Sequence, residues 1–214
     1  MKTKIILVRH GQSQGNAIRV LLGHTDLDLT ELGFRQAACT AEALRHERID
    51  VIYSSDLKRA MSTARAHAEL RGMEVNPDRD LREVMLGEWE NRSVEEIINK
   101  YGESVYNEDW LGHFGTFAFP GGDRVMDRAA IFYKETVRLA EKYSGKTILI
   151  ASHAAAIRGF FGLVRGLSDE EVSEKTAFPT NASYSVVSYE NGKFTEEAFS
   201  VDGHLSDIGI TKIS

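Results

Sequence analysis

The chain has 214 residues, 42% hydrophobic and 27% charged, an ordinary balance for one soluble globular domain, expected here to span 1–214. Lys and Arg total 26 against 32 Asp and Glu, a formal net charge of −6, which argues against any global attraction to nucleic acid or an anionic membrane. A lone cysteine, Cys39, excludes an internal disulfide, and no apolar run is long enough for a signal peptide or a bilayer span, so a reducing, cytoplasmic setting is expected.

Ile5 to Val8 is a short aliphatic run with the pattern of a buried strand. It stops at Arg9-His10-Gly11, which puts a cation and an imidazole at a strand's carboxyl end, where open α/β sheets bind ligands. Gly11 is read as leaving room for a ligand against the backbone, and Gln12, Ser13 and Asn16 add short polar groups nearby. Ala17 to Leu29 is expected to be a functional loop holding at most one helical turn, with His24 facing solvent. Thr30 is a suitable N-cap for a helix to about His46, with Phe34, Ala37, Ala38, Ala41 and Leu44 as its apolar stripe and Cys39 in the core.

Asp50 to Ser54 reads as a second strand, and Ser55 or Asp56 as the cap of a helix reaching about Arg71. Arg59 falls in the first turn of that helix, beside a strand end and a helix N-terminus that favours anions. Next come three carboxylates in one short stretch, Glu83, Glu88 and Glu90, which residue chemistry alone does not separate. Ser93-Val94-Glu95-Glu96 is a capping box opening a short helix. Residues 84–127 carry Trp89, Trp110, Phe114, Phe117 and Phe119 and then Pro120-Gly121-Gly122, and are read as an inserted helical cap with a mobile loop. A long helix from about Arg124 to Tyr143 leads to the uninterrupted apolar strand Thr147 to Ala151, expected at the centre of a sheet. That strand ends in Ser152-His153-Ala154, the second strand-end imidazole, with Arg158 one turn on and read as structural. Ser168 to Lys175 is a short helix with its own Ser-x-x-Glu box. Asn181–Tyr189 and Lys193–Val201 form a hairpin about Asn191-Gly192, giving the sheet an antiparallel edge.

Five of these stretches, in order, resemble the histidine phosphatase superfamily, which includes the cofactor-dependent phosphoglycerate mutases: Arg9 to Asn16, Gly23 to Gly33, Ser54 to Ala64, Glu83 to Glu90 and Ser152 to Arg158. The first fits at every specified position, while Asn91 and Ala154 stand where many members have Gly. The resemblance implies a three-layer α/β/α sandwich around a mostly parallel mixed sheet, and phosphoryl transfer through a phosphohistidine. It puts the nucleophile on His10, the proton donor on Glu83, and the transferring phosphate against Arg9, Arg59 and His153, with Gln12, Ser13, Asn16, Gly23 and Ala154 completing the phosphate site. Neither a metal nor a cofactor is then required. The implied activity is that of a phosphoric monoester hydrolase of the histidine acid phosphatase type, with a small phosphate monoester as substrate and inorganic phosphate as product.

The nearest alternative is a phosphoglycerate mutase using the same residues. Val84-Met85-Leu86 follows Glu83 where mutases of the family carry an Arg-Tyr pair, which favours the phosphatase. A metal hydrolase is disfavoured because none of the seven histidines shows His-x-x-x-His or His-x-His spacing. A catalytically dead phosphate-binding module is disfavoured by the joint presence of His10, Glu83 and His153. A homodimer is left open. The cap aromatics, with His113 as their sole cationic candidate, lead to an expected preference for bulky, weakly charged esters over 3-phosphoglycerate.

Overall fold

The computed structural model describes residues 1–210. In chain order the strands are β1 Thr3–Arg9, β2 Val20–Leu21, β3 Val51–Ser55, β4 Val75–Asp78, β5 Arg92–Ser93, β6 Thr147–Ser152, β7 Tyr184–Glu190 and β8 Lys193–Val201. The α-helices are α1 Gln14–Ala17, α2 Glu31–Ala43, α3 Lys58–Arg71, α4 Val94–Tyr101, α5 Val125–Lys142, α6 Ala154–Val164 and α7 Glu171–Lys175.

Six strands form one mixed sheet in the order β4-β3-β6-β1-β7-β8. β4, β3, β6 and β1 run parallel, β7 runs against β1, and β8 returns antiparallel to β7 as the edge. The central strands are apolar throughout because both faces are covered. Ile5 and Leu7 of β1 pack with Phe132, Leu139, Phe160 and Phe161 of α5 and α6. Ile6 and Val8 pack on the opposite face with Leu44, Ala64 and Ala68, on the side of α2 and α3. Two helical layers therefore sandwich the sheet.

Several local expectations need correction. In α2, Phe34 is 49% exposed and Ala38 also faces solvent; the buried face is Gly33, Gln36, Ala37, Thr40 and Ala41. The rotation follows from a close approach at the start of the helix. A Cβ on Gly11 would lie 2.4 Å from Gly33 O, and one on Gly33 would lie 2.1 Å from Gln12 O. Gly11 therefore makes room for α2, not for a ligand. Cys39 is half-buried rather than core, its thiol donating to His204 O at 3.0 Å. Residue Leu57 occupies the N-cap position of α3 without a side-chain cap. β4 was hidden from pattern reading because Val-Asn-Pro-Asp is polar; Pro77 is tolerated there because β4 is an edge. α7 begins later than expected, since the Ser168–Glu171 box closes only a turn before it.

Between Val84 and Asp123 lie β5, α4 and a π-helical segment, Val105–Gly112. β5 pairs with β2, fastening this segment to the loop after β1. The Ser93 capping box is present as expected. Trp89, Trp110, Phe114 and Phe119 are all buried in a second cluster, together with Met126 and Ala129 of α5, Ala155 of α6 and Val172 of α7.

Candidate active site

β3, β6 and β1 end side by side, with Ser54 and Val8 both paired to Ala151 and Arg9 paired to Ser152. The next residues along these strands, Ser55, His153 and His10, converge at the carboxyl ends. A cavity opens there, lined on its floor by Arg9, His10, Ser13, Asn16, Gly23, Arg59, Glu83 and Ala154.

His10 is 5% exposed. Its Nδ1 lies 2.7 Å from Gly11 O; a carbonyl can only accept, so Nδ1 carries the proton and Nε2 keeps its lone pair. Burial first, then the charges of Arg59 and Arg9, hold the imidazole pKa well below the usual histidine range. The main chain around it is fixed by Asn181, whose Nδ2 donates to His10 O at 3.0 Å, to Gly11 O at 3.2 Å and to Asn16 Oδ1 at 3.1 Å. Asn16 Oδ1 also accepts from the Ser13 amide and hydroxyl at 3.1 and 2.9 Å. That oxygen is thus fully engaged and the amide nitrogen of Asn16 remains for the cavity. Ser13 spends its own hydroxyl on capping α1.

Arg9 and Arg59 are each 2% exposed. Arg9 Nη1 donates to Pro179 O at 2.6 Å, and its Nε is buried without a partner among the described residues. Arg59 Nη1 and Nη2 donate to Thr25 O at 2.9 Å and Gly23 O at 2.7 Å. Burial pushes both guanidinium groups down to about 10, so both remain charged at neutral pH. Among the described residues these two buried cations hydrogen-bond only to carbonyls, with the charge of Glu83 partly offsetting their burial, and facing one cavity they call for an anion.

Of the three candidate carboxylates only Glu83 lines the cavity. Its Oε1 accepts from Val84 N at 3.0 Å and Ala156 N at 2.9 Å, and its Oε2 from Ala155 N at 3.1 Å, in the first turn of α6. Arg128 braces this loop by donating to Arg79 O at 2.7 Å and Arg82 O at 3.2 Å. Glu88 is exposed and paired with Lys100 at 2.8 Å. Glu90 accepts from the amides of His24 at 2.9 Å and Leu86 at 3.2 Å, which ties the loop holding Arg59 to the loop holding Glu83.

His153 stands directly behind His10, with ring centroids 5.2 Å apart. It is fully buried, its Nε2 is 2.8 Å from Ser55 Oγ, and its Nδ1 has no partner among the described residues. Desolvation first, then Arg59 and His10, keep its pKa well below the ordinary value. Gly23 sits at φ +50, and a Cβ there would meet Glu90 Oε1 at 2.5 Å. Gln12 does not line the cavity; its Oε1 accepts from Thr30 Oγ1 at 2.8 Å, at the start of α2. Arg158 is structural, stacked between Phe114 and Phe178 at 4.1 and 4.2 Å.

Four residues of this neighbourhood were not picked out from the sequence: Asn181, Ser55, His24 and Arg19. His24 was expected to face water, yet its Nε2 donates to Glu83 O at 2.8 Å because the loop folds over the acid. A Ser at a strand end next to Arg59 was the available hint for Ser55. The cavity's upper wall is apolar, formed by Val20, Leu21, Leu86, Val94, Trp110 and Phe178. Only Trp110 of the five highlighted aromatics reaches it, and His113 does not. Among the described residues, no three His, Cys, Asp or Glu side chains gather so as to hold a metal ion, and no helix is long and apolar enough to cross a membrane.

The sequence matches the model of the histidine phosphatase superfamily (branch 1) over residues 5–202. Phosphoserine phosphatase 1 of Hydrogenobacter thermophilus is 32% identical over 208 residues, 95% of either chain. A phosphoglycerate mutase-like protein of Arabidopsis thaliana is also 32% identical, over 96% of this chain and 88% of its own. Among solved structures, the mycobacterial glucosyl-3-phosphoglycerate phosphatase in complex with VO3 aligns with a TM-score of 0.86 at 26% identity, covering 93% of this chain and 99% of that one. With strand-end histidines, paired arginines and a family match over most of its length, this chain belongs to the histidine phosphatase superfamily.

Proposed function

We propose that this protein hydrolyses small phosphate monoesters by way of a phosphohistidine on His10. The observation that carries the reading is the 2.7 Å contact of His10 Nδ1 with Gly11 O, which leaves a neutral imidazole with its Nε2 lone pair between two buried arginines. Arg9 and Arg59 bind the phosphoryl oxygens, and His10 Nε2 attacks phosphorus as the ester P–O bond breaks. Glu83 gives its proton to the departing alkoxide, with Oε2, which accepts only one amide, as the oxygen that carries it. In the second half Glu83 takes a proton from water, whose oxygen displaces His10 and releases inorganic phosphate. His153 contributes by accepting the Ser55 hydroxyl at Nε2, which leaves Nδ1–H as a donor to the transferring group. Residues 84–127 act as a cap over this floor. A reducing, cytoplasmic compartment suits the single free thiol.

A mutase would pass the same phosphoryl group to a bound phosphoglycerate. Here Val84 and Leu86, which follow the acid, are buried apolar side chains, so the segment supplies no donor to a second substrate. The acid-phosphatase character rests on His10, whose lowered pKa keeps the nucleophile neutral as pH falls below 6.5.

Labelled substrate should leave an acid-labile, base-stable phosphate on the wild type and none on His10→Ala. The kcat/KM profile should show no acid limb at the ordinary histidine pKa. Near-normal turnover by His10→Ala would refute the mechanism.

A further inference from the structure

Arg9 and Arg59 form the floor of the cavity, each tied to main-chain carbonyls. A third cation lines the same cavity: Arg19, exposed on the turn between α1 and β2. Its guanidinium has no hydrogen-bond or ion-pair partner among the described residues. The backbone beneath it is nonetheless defined. Arg19 N–H donates to Asn16 O and Val94 N–H donates to Arg19 O, both at 3.4 Å, and its φ is +54.

Charge counting makes this arginine informative. Three arginines and one carboxylate, Glu83, line the cavity. The phosphate of a bound monoester carries close to two negative charges at neutral pH, which match Arg9 and Arg59. In the proton-donor role proposed above, Glu83 delivers its proton in the first step and adds no negative charge to the count before then. One positive charge is then left on the exposed Arg19, in a cavity that Leu86, Trp110 and Phe178 also line with apolar surface. A neutral leaving group would cover that surface and leave Arg19 unmatched.

We propose that Arg19 is a specificity-determining residue that receives a second anionic group of the substrate, a carboxylate or its equivalent, carried by the leaving group beyond an apolar stretch. This rests on the phosphatase reading above and reverses the preference for weakly charged esters expected from the cap aromatics. Most of those aromatics pack into a buried cluster shared with α5, α6 and α7, while a cation not picked out from the sequence comes from the loop after β1. A forked guanidinium pairs well with a carboxylate.

The test compares phenyl phosphate with 4-(carboxymethyl)phenyl phosphate, whose phenols are of similar acidity and ask the same help of Glu83. Wild-type kcat/KM should favour the carboxylate ester. Arg19→Gln should cut that preference by about tenfold, Arg19→Glu should invert it, and Arg19→Lys should retain much of it. A turn with a purely structural role would slow both esters alike, so an unchanged ratio in Arg19→Gln overturns the assignment while phosphatase activity stands. A wild type inactive on both esters overturns the phosphatase reading and this inference with it.

Discussion

At the scale of single residues, three carboxylates within a few positions have three different environments. Glu88 is solvent-exposed, Glu90 joins two loops, and Glu83 alone meets both the cavity and the first turn of α6. If Glu83 supplies the proton, its removal should matter in proportion to how poor the leaving group is. General acid help is worth about 10²–10⁴-fold, so Glu83→Gln should slow alkyl phosphates by that order and activated nitrophenyl esters far less. Equal losses on the two kinds of ester, measured as kcat, would reassign Glu83 to positioning. Arg9, His10 and His153 stood out in the sequence because they end or follow apolar runs, and Arg59 because it opens a helix after one, whereas Glu83 was separated from Glu88 and Glu90 only by the family resemblance. Asn181 and Ser55 were not, since their importance lies in bonds to chain segments more than 90 residues away, 98 positions between His153 and Ser55 and 171 between Asn181 and His10. Arg19 gave no local signal at all, because a left-handed arginine looks like any other in a sequence.

At the scale of elements, the contact between the loop after β1 and the start of α2 governs where His10 stands. Gly11 and Gly33 lie backbone to backbone, with no space for a Cβ on either. Gly33→Ala would ordinarily favour a helix, but here the methyl group meets the Gln12 carbonyl, which cannot swing aside as a side-chain end can. The expected outcome is a loss of about 1–3 kcal/mol in urea unfolding. A fall of more than tenfold in kcat should accompany it, as a displacement on the order of 1 Å costs about 10²-fold. Wild-type stability and turnover in that variant would show that the approach is not needed. The main strands and helices were readable from periodicity, and Ala37, Ala41 and Leu44 are buried as the stripe predicts, yet the rest of the buried face of α2 was not legible. Its inner positions include Gly33, Gln36 and Thr40, chosen for close approach and for hydrogen bonds such as Thr40 Oγ1 to Ala182 O at 2.7 Å, and apolar spacing cannot reveal them. The five aromatics of residues 84–127 pack as a group, but whether they faced a ligand or one another depended on packing alone.

For the molecule as a whole, buried neutral imidazoles set a limit on the acid side. His67 is completely buried in α3, neither of its nitrogens has a partner among the described residues, and burial pushes its pKa down to about 3. His10 and His153 are lowered in the same direction. For each, the unfolded chain takes up a proton below about 6.5 while the folded chain does not. Stability is therefore complete above that pH and declines as pH falls toward the folded value, by up to about 1.4 kcal/mol per pH unit for each group. Urea unfolding at pH 7.5 and pH 5 should show this decline, and His67→Leu, which removes one titrating group without removing a hydrogen bond, should flatten it. An identical drop in the variant would remove His67 from the account. The lowered pKa that keeps His10 neutral as pH falls is thus the same property that costs the fold stability there.

The position of β1 in the sheet has a consequence for biosynthesis. β1 occupies residues 3–9, but its neighbours are β6 and β7, which begin at Thr147 and Tyr184. A ribosome delivers Ile5 to Val8 long before either partner emerges, leaving an apolar, β-prone segment without a ladder while most of the chain is still being made. The helices and the β3-β4 pair can form early from local contacts, whereas the strand that carries His10 closes last, between two late arrivals. The cavity floor is consequently among the final parts of the molecule to exist, and a nascent chain halted short of β6 holds His10 without His153 or Asn181, the neighbours that stand against it and fix its main chain.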